Sequence, residues 1–178
     1  MAINIAINGF GRIGRLVLRG IIESGRKDIN VVAINDLGTV GANAHMLQYD
    51  SIHGPLNAKV RATKTGLNIG GRGIKVLAER DPGNLPWAKM DVDVALECTG
   101  LFTNRDDAAK HIDAGAKRVL VSAPAGNAGI SRRNWPAPSD PRSRQTAPGF
   151  PDVDVSQVFR MVAAVNAPTQ TPNDFFDG

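Results

Sequence analysis

Gly9-Phe10-Gly11-Arg12-Ile13-Gly14 places three glycines at the spacing G-x-G-x-x-G. Glycines spaced this way let a backbone turn tightly and bring free N–H groups up to an anion. Gly9 permits the turn, Gly11 keeps a side chain out of the path of a pyrophosphate, and Gly14 lets a helix pack closely on the preceding strand. The amides near Arg12 and Ile13 then point at the anion, with the positive end of a helix dipole behind them. Asp36 stands 22 residues beyond Gly14, at the end of the next apolar run. Its carboxylate can accept hydrogen bonds from both hydroxyls of an adenosine ribose, whereas a 2′-phosphate would meet like charge. Leu37, Gly38 and Thr39 supply no cation to receive that phosphate, so the pattern predicts NAD rather than NADP. The plainer alternatives are a ligand-free glycine turn and, for Asp36, a cap on the following segment.

These residues need a frame, and the first 124 residues supply one. Ile3, Ile5 and Ile7 alternate with Ala and Asn as in a strand. Arg12 to Ser24 spaces Ile13, Leu16, Val17, Ile21 and Ile22 as in a helix that Gly25 stops. Val31 to Asn35 reads as a strand and Gly41 to Tyr49 as a helix. Ala58 to Lys64 and Ile74 to Ala78 read as strands, with Gly70-Gly71-Arg72-Gly73 as the turn between them. Val92 to Glu97 is a further strand. Thr103 is the expected cap of a helix over Asn104 to Ala114, with Asp106 at its third position and Gly115 as terminator. Arg118 to Ser122 closes the series. Strands alternating with helices predict an α/β fold with a mostly parallel sheet covered on its faces.

The composition changes near Ala125. Residues 1–124 hold all seven Lys, all three Glu and all eleven Leu, whereas residues 125–178 hold none of these and seven of the eleven Pro. A stretch without Leu is hard to reconcile with a continuing packed domain. Only Val153 to Val165 there has enough apolar residues for a helix or strand. The formal charge of +4 comes from scattered basic residues, and the nine aromatics do not interleave with them. No specific nucleic-acid surface is therefore expected. The single Cys excludes a disulfide framework or a Cys-rich zinc site. No apolar run is long enough to span a membrane, and the opening residues carry no basic leader, so a cytoplasmic setting is expected.

Taken together, these stretches resemble the cofactor domain of phosphorylating glyceraldehyde-3-phosphate dehydrogenase. The resemblance runs from Ala2 to Pro124. It is carried by Asn8-Gly9-Phe10-Gly11-Arg12-Ile13-Gly14-Arg15, Asn35-Asp36-Leu37, Tyr49-Asp50-Ser51-Ile52-His53-Gly54 and Glu79-Arg80-Asp81-Pro82. It continues in Leu85-Pro86-Trp87, Glu97-Cys98-Thr99-Gly100-Leu101-Phe102, Ala114-Gly115-Ala116-Lys117 and Val121-Ser122-Ala123-Pro124. The resemblance implies a Rossmann-type, doubly wound sheet that binds NAD and belongs to glycolytic oxidoreductase chemistry. It further implies that Arg80 lies beside the adenine and that Thr99, Gly100 and Ser122 line the path to the nicotinamide. Arg80 as a plain surface charge, and Thr99-Gly100 as a tight strand exit, are the alternatives.

The family performs its chemistry with a Cys nucleophile in a Ser-Cys-Thr-Thr-Asn-Cys-type segment soon after the Ser-Ala-Pro strand, and with a His base further on. No such segment occurs here, and the family pattern stops after Ala125-Gly126-Asn127-Ala128. Cys98 ends an apolar run and reads as a small buried hydrophobe rather than a nucleophile. His45, His53 and His111 show no metal spacing and read as structural or exposed, while Asp106 and Asp107 read as a helix start. The expected organisation is a dinucleotide-binding domain over residues 1–126 and an unrelated, Pro/Arg-rich, poorly ordered tail over 127–178, as in a truncated or frame-shifted form. Three functional readings follow: an NAD-binding module without autonomous catalysis, a subunit contributing to dehydrogenase activity with full-length homologous chains, or a non-functional fragment.

Overall fold

The computed structural model describes residues 2–123. The chain opens with strand β1 (Ile3–Asn8), helix α1 (Arg12–Glu23), strand β2 (Ile29–Asn35) and helix α2 (Val40–Gln48). A short antiparallel pair follows, β3 (Tyr49–Asp50) with β4 (Gly54–Pro55). Then come β5 (Val60–Ala62), β6 (Gly66–Ile69), β7 (Arg72–Leu77), β8 (Val94–Glu97), α3 (Arg105–Asp113) and β9 (Arg118–Val121). Among the described residues no helix is long and apolar enough to cross a membrane.

Seven strands form one sheet in the order β5-β6-β7-β2-β1-β8-β9. The five from β7 to β9 run parallel, and β5 and β6 extend the sheet antiparallel. This is the mostly parallel α/β architecture that the alternation of elements predicts, and it is Rossmann-like, as the resemblance implies. Strand β1 is the middle one of the five parallel strands, and both of its faces are buried: Ile3, Ile5 and Ile7 point into one core, with Val17, Leu18 and Ile34, and Ala6 points into the other. The second core is built on Ala6, Ala33 and Ala95, one from each of three neighbouring strands, with the fully buried Trp87 in the same cluster. Small residues on that side of the sheet leave room for a large ring. The chain leaves β1 toward β2 on one side and reaches β8 on the other. The strand order thus reverses at β1, where α/β sheets open a crevice beyond their carboxyl ends.

Two expectations need correction. Residues Gly70 to Gly73 are not one turn between two strands. The turn is Gly70-Gly71, with φ of +56° and +92°, and it joins β7 to β6, a strand that the sequence reading passed over. Arg72 and Gly73 lie inside β7, and β6 is short, with polar Asn68 between Leu67 and Ile69, which gives little apolar signal. Helix α3 is capped by Asn104, not Thr103: the Asn104 Oδ1 accepts from the Asp107 backbone N–H at 2.8 Å. Asp107 rather than Asp106 therefore holds the third helical position, and Gly115 terminates the helix as expected, at φ +104°. The Val153 to Val165 segment lies outside the described residues.

Candidate functional site

The glycine loop joins the carboxyl end of β1 to the start of α1. Gly9 has φ of +91°, and a Cβ there would lie 2.7 Å from the Thr99 nitrogen, so the turn needs glycine on both counts. At Gly14 a Cβ would stand 2.1 Å from the Gly9 carbonyl oxygen and 3.0 Å from the Ile7 Cγ2, so the helix rests directly on the strand. At Gly11 the same construction meets nothing within 4 Å. The helix N-terminus there receives no side-chain cap, and its first turn holds no acidic residue. The amides of Arg12 and Ile13 thus open onto an exposed cradle of the kind that holds an anion. The Arg15 Nη1 donates to the Phe10 carbonyl at 2.9 Å and fixes the loop from below.

Asp36 lies just past β2 and is half-buried. Its Oδ2 accepts from the Phe10 backbone N–H at 2.8 Å, and its Oδ1 accepts from the Gly38 N–H at 2.8 Å. The carboxylate thereby ties the glycine loop to the loop after β2, and with Asn43 as a third donor one of its about four acceptor positions stays open for a ribose hydroxyl. Thr39, not Asp36, caps α2, through its hydroxyl and the Ala42 N–H. Beside Asp36 the wholly buried Asn43 donates to its Oδ1 at 3.4 Å, while the Asn43 Oδ1 has no partner among the described residues. An open glycine cradle, a carboxylate with spare acceptor capacity and an orphaned buried acceptor beside it fit a bound dinucleotide.

The remaining sequence-derived residues gather along the same edge. Arg80 is exposed beyond β7, and its neighbour Glu79 is held by the Asn35 side chain, which contacts both the Glu79 N–H and carbonyl at 2.8 Å. Thr99 and Gly100 follow β8, with Gly100 exposed at φ +75°. Ser122 follows β9, and its backbone N–H donates to the Glu97 carbonyl at 2.9 Å. The structure therefore brings Gly9, Gly11, Arg12, Ile13, Gly14, Asp36, Arg80, Thr99, Gly100 and Ser122 to the carboxyl ends of five parallel strands.

Sequence reasoning missed the buried polar network beneath this edge. Glu97 and His111 are both fully buried and contact each other, with the His111 Nε2 3.0 Å from the Glu97 Oε2. The Trp87 indole N–H donates to the His111 Nδ1 at 3.0 Å. An indole only donates, so Nδ1 accepts and the ring hydrogen sits on Nε2, directed at Glu97. The same Glu97 oxygen accepts from the Asn8 Nδ2 at 2.5 Å, and the Asn8 Oδ1 accepts from the Asn35 Nδ2 at 2.7 Å. The Glu97 Oε1 accepts from the Thr99 backbone N–H at 2.7 Å and from the Thr99 hydroxyl. The available sequence signal was a carboxylate ending an apolar strand, together with Asn at the ends of β1 and β2. His111 gave none, because spacing does not show what a helical histidine faces.

Cys98 is buried at 8 % exposure within the main core. Burial pushes its thiol up to about 12; a hydrogen bond with Ser122 lowers it slightly, and the Glu97 charge raises it further. A thiol held this high supplies little thiolate near neutrality. A thiol reagent at pH 8 should leave the native chain unmodified and label it once unfolded; stoichiometric labelling of the folded chain would contradict this placement. In the unfolded chain the thiol ionises near 9, so the burial contribution is complete below pH 9 and is lost as pH rises toward 12.

Comparison with known sequences places this geometry in a family. A sequence model described as glyceraldehyde 3-phosphate dehydrogenase, NAD binding domain, matches residues 3–105. The glyceraldehyde-3-phosphate dehydrogenase of Xanthobacter flavus is 58% identical over 131 residues, 74% of this chain and 39% of that protein. Its counterpart in Cereibacter sphaeroides is 59% identical over 128 residues, 72% of this chain and 38% of that protein. The Geobacillus stearothermophilus protein is 52% identical over 131 residues, 74% of this chain and 38% of that protein. The chain thus spans about two-fifths of the length of the curated relatives it matches. A family match over more than half of the chain, on a sheet whose glycine loop and acidic strand end meet in one crevice, identifies it as a member of the glyceraldehyde-3-phosphate dehydrogenase family through its NAD-binding domain.

Proposed function

We propose that residues 1–126 form a dinucleotide-binding domain that takes NAD, and that the 178-residue chain does not catalyse aldehyde oxidation by itself. The observation that carries the binding reading is the open, uncapped start of α1 beside an Asp36 already oriented by the Phe10 and Gly38 amides. Arg12 and Ile13 offer amides to the pyrophosphate, Gly9, Gly11 and Gly14 shape the cradle, and Asp36 takes the adenosine ribose. Arg80 lies toward the adenine, and Thr99, Gly100 and Ser122 line the far end. When bound, NAD supplies a hydride acceptor; the protein's part is to hold and orient it. The case against autonomous catalysis is that the chain's single thiol is the buried Cys98. Residues 127–178 are proposed as a tail unrelated to the family pattern.

Thermal melts test the binding. Millimolar NAD should raise the Tm, and Asp36→Ala should abolish the shift, because a ligand stabilises a fold by mass action only where it binds. Absence of a shift in the unsubstituted chain removes the reading. NADP should shift the melt less than NAD, since its phosphate meets the Asp36 charge. For the catalytic half, NADH formation from aldehyde and phosphate should stay at the blank rate. A rate that Cys98→Ser abolishes would overturn the assignment.

A further inference from the structure

We propose that Glu97, which the NAD reading leaves without a role, is a positioning residue for the NAD site. On this account it holds the Thr99–Gly100 turn against the glycine loop through Thr99. The proposal rests on the binding reading above. Its two oxygens meet four donors: the Asn8 Nδ2 and the His111 Nε2 on Oε2, the Thr99 N–H and hydroxyl on Oε1. A carboxylate has about four acceptor positions, so this set saturates it. A glutamine would keep one oxygen and turn an NH2 group toward one pair of donors.

The bonds run between two loops rather than only into the core. Asn8 ends β1 and leads into Gly9, while Thr99 opens the turn after β8. Those two backbones touch: a Cβ on Gly9 would lie 2.7 Å from the Thr99 nitrogen and 2.8 Å from the Cys98 carbonyl carbon. The Thr99 Oγ1 in turn accepts from the Leu101 N–H at 3.0 Å, which fixes the turn through exposed Gly100. From behind, Trp87 sets the His111 tautomer so that its hydrogen faces Glu97. Asn8 on one side and Thr99 on the other bind the same carboxylate, which thereby sets the distance between the two walls of the crevice.

The test uses the full chain and NAD itself, with affinity measured by calorimetry well below the melting temperature of each variant. Glu97→Gln should raise the NAD Kd about tenfold, the scale of losing a hydrogen bond to a charged group. Thr99→Val, which removes only the hydroxyl, should raise it about threefold. Because Glu97 acts through Thr99, the double variant should bind no more weakly than Glu97→Gln alone. An unchanged Kd in Glu97→Gln, despite a lowered Tm, shows a merely structural carboxylate and overturns the proposal. Fully additive effects overturn it too, since Glu97 would then act independently of Thr99. If Glu97→Gln gives no cooperative melt, Thr99→Val decides, and an unchanged Kd there overturns the proposal. Failure of the unsubstituted chain to bind NAD overturns the binding reading and this proposal together, and is seen before any variant is made.

Discussion

Gly14→Ala should destabilise the fold by about 3 kcal/mol and lower the Tm by roughly 10 °C. Two effects oppose each other at this position. Gly14 lies inside α1, where alanine is intrinsically better than glycine by about 1 kcal/mol. Against that, the added Cβ would stand 2.1 Å from the Gly9 carbonyl oxygen, which is backbone and cannot swing aside. The helix must lift from β1, and the second contact, with the Ile7 Cγ2 at 3.0 Å, prevents a small lateral shift. The clash wins because relief means separating α1 from the central strand. Gly11→Ala is the matched control. Its Cβ enters open space at φ −67°, so the loss should stay at about 1 kcal/mol, the scale of an alanine at a helix N-cap. The same Cβ projects where a pyrophosphate would approach, so NAD affinity should fall on the order of tenfold. Circular dichroism melts and NAD titrations of the two variants check both halves. A stable Gly14→Ala chain would show that α1 does not rest on β1 as described.

His111→Leu should cost about 4 kcal/mol. The ring is fully buried and serves two partners at once. Leucine fills the space but removes the donor 3.0 Å from the Glu97 Oε2 and the acceptor 3.0 Å from the Trp87 Nε1. A buried carboxylate that loses a partner is expensive, and the orphaned indole N–H adds about 1–3 kcal/mol. Asn8 and Thr99 remain on Glu97, which keeps the loss from being larger. Adding Trp87→Phe to His111→Leu should cost less than the two single losses combined, because the stranded indole is then gone. Urea midpoints of the three variants measure this. A loss below about 1 kcal/mol for His111→Leu would mean that the histidine is a spacer and not a hydrogen-bonding link.

The legible parts of this chain were those whose partners are near in sequence. The glycine loop, the strand before it and the helix after it occupy one short run, and each glycine's demand is local. Asp36 was legible because its position past the next strand is a matter of counting. The expectation of a Thr103 cap missed by one residue, since Thr and Asn are both good caps and only the fold shows which side chain reaches the Asp107 amide. Strand β6 was missed because antiparallel pairing with β5 and β7, not apolar content, makes it a strand. The Glu97 network was illegible for a deeper reason. Asn8 and Glu97 are 89 residues apart and Asn8 and His111 are 103 apart, so no window of sequence contains the site's support.

The position of β1 also governs what happens while the chain is being made. Of the strands described, β1 comes earliest in the chain yet ends inside the sheet, and β2 can cover one of its edges early. Its other edge pairs only with Val94–Glu97, so Ile5 and Ile7 present an unsatisfied backbone row until that distant segment emerges. Such an edge recruits any strand that comes near, including one from a neighbouring nascent chain. The β1 edge that waits for Val94–Glu97 is therefore the place where pairing with another chain competes with folding.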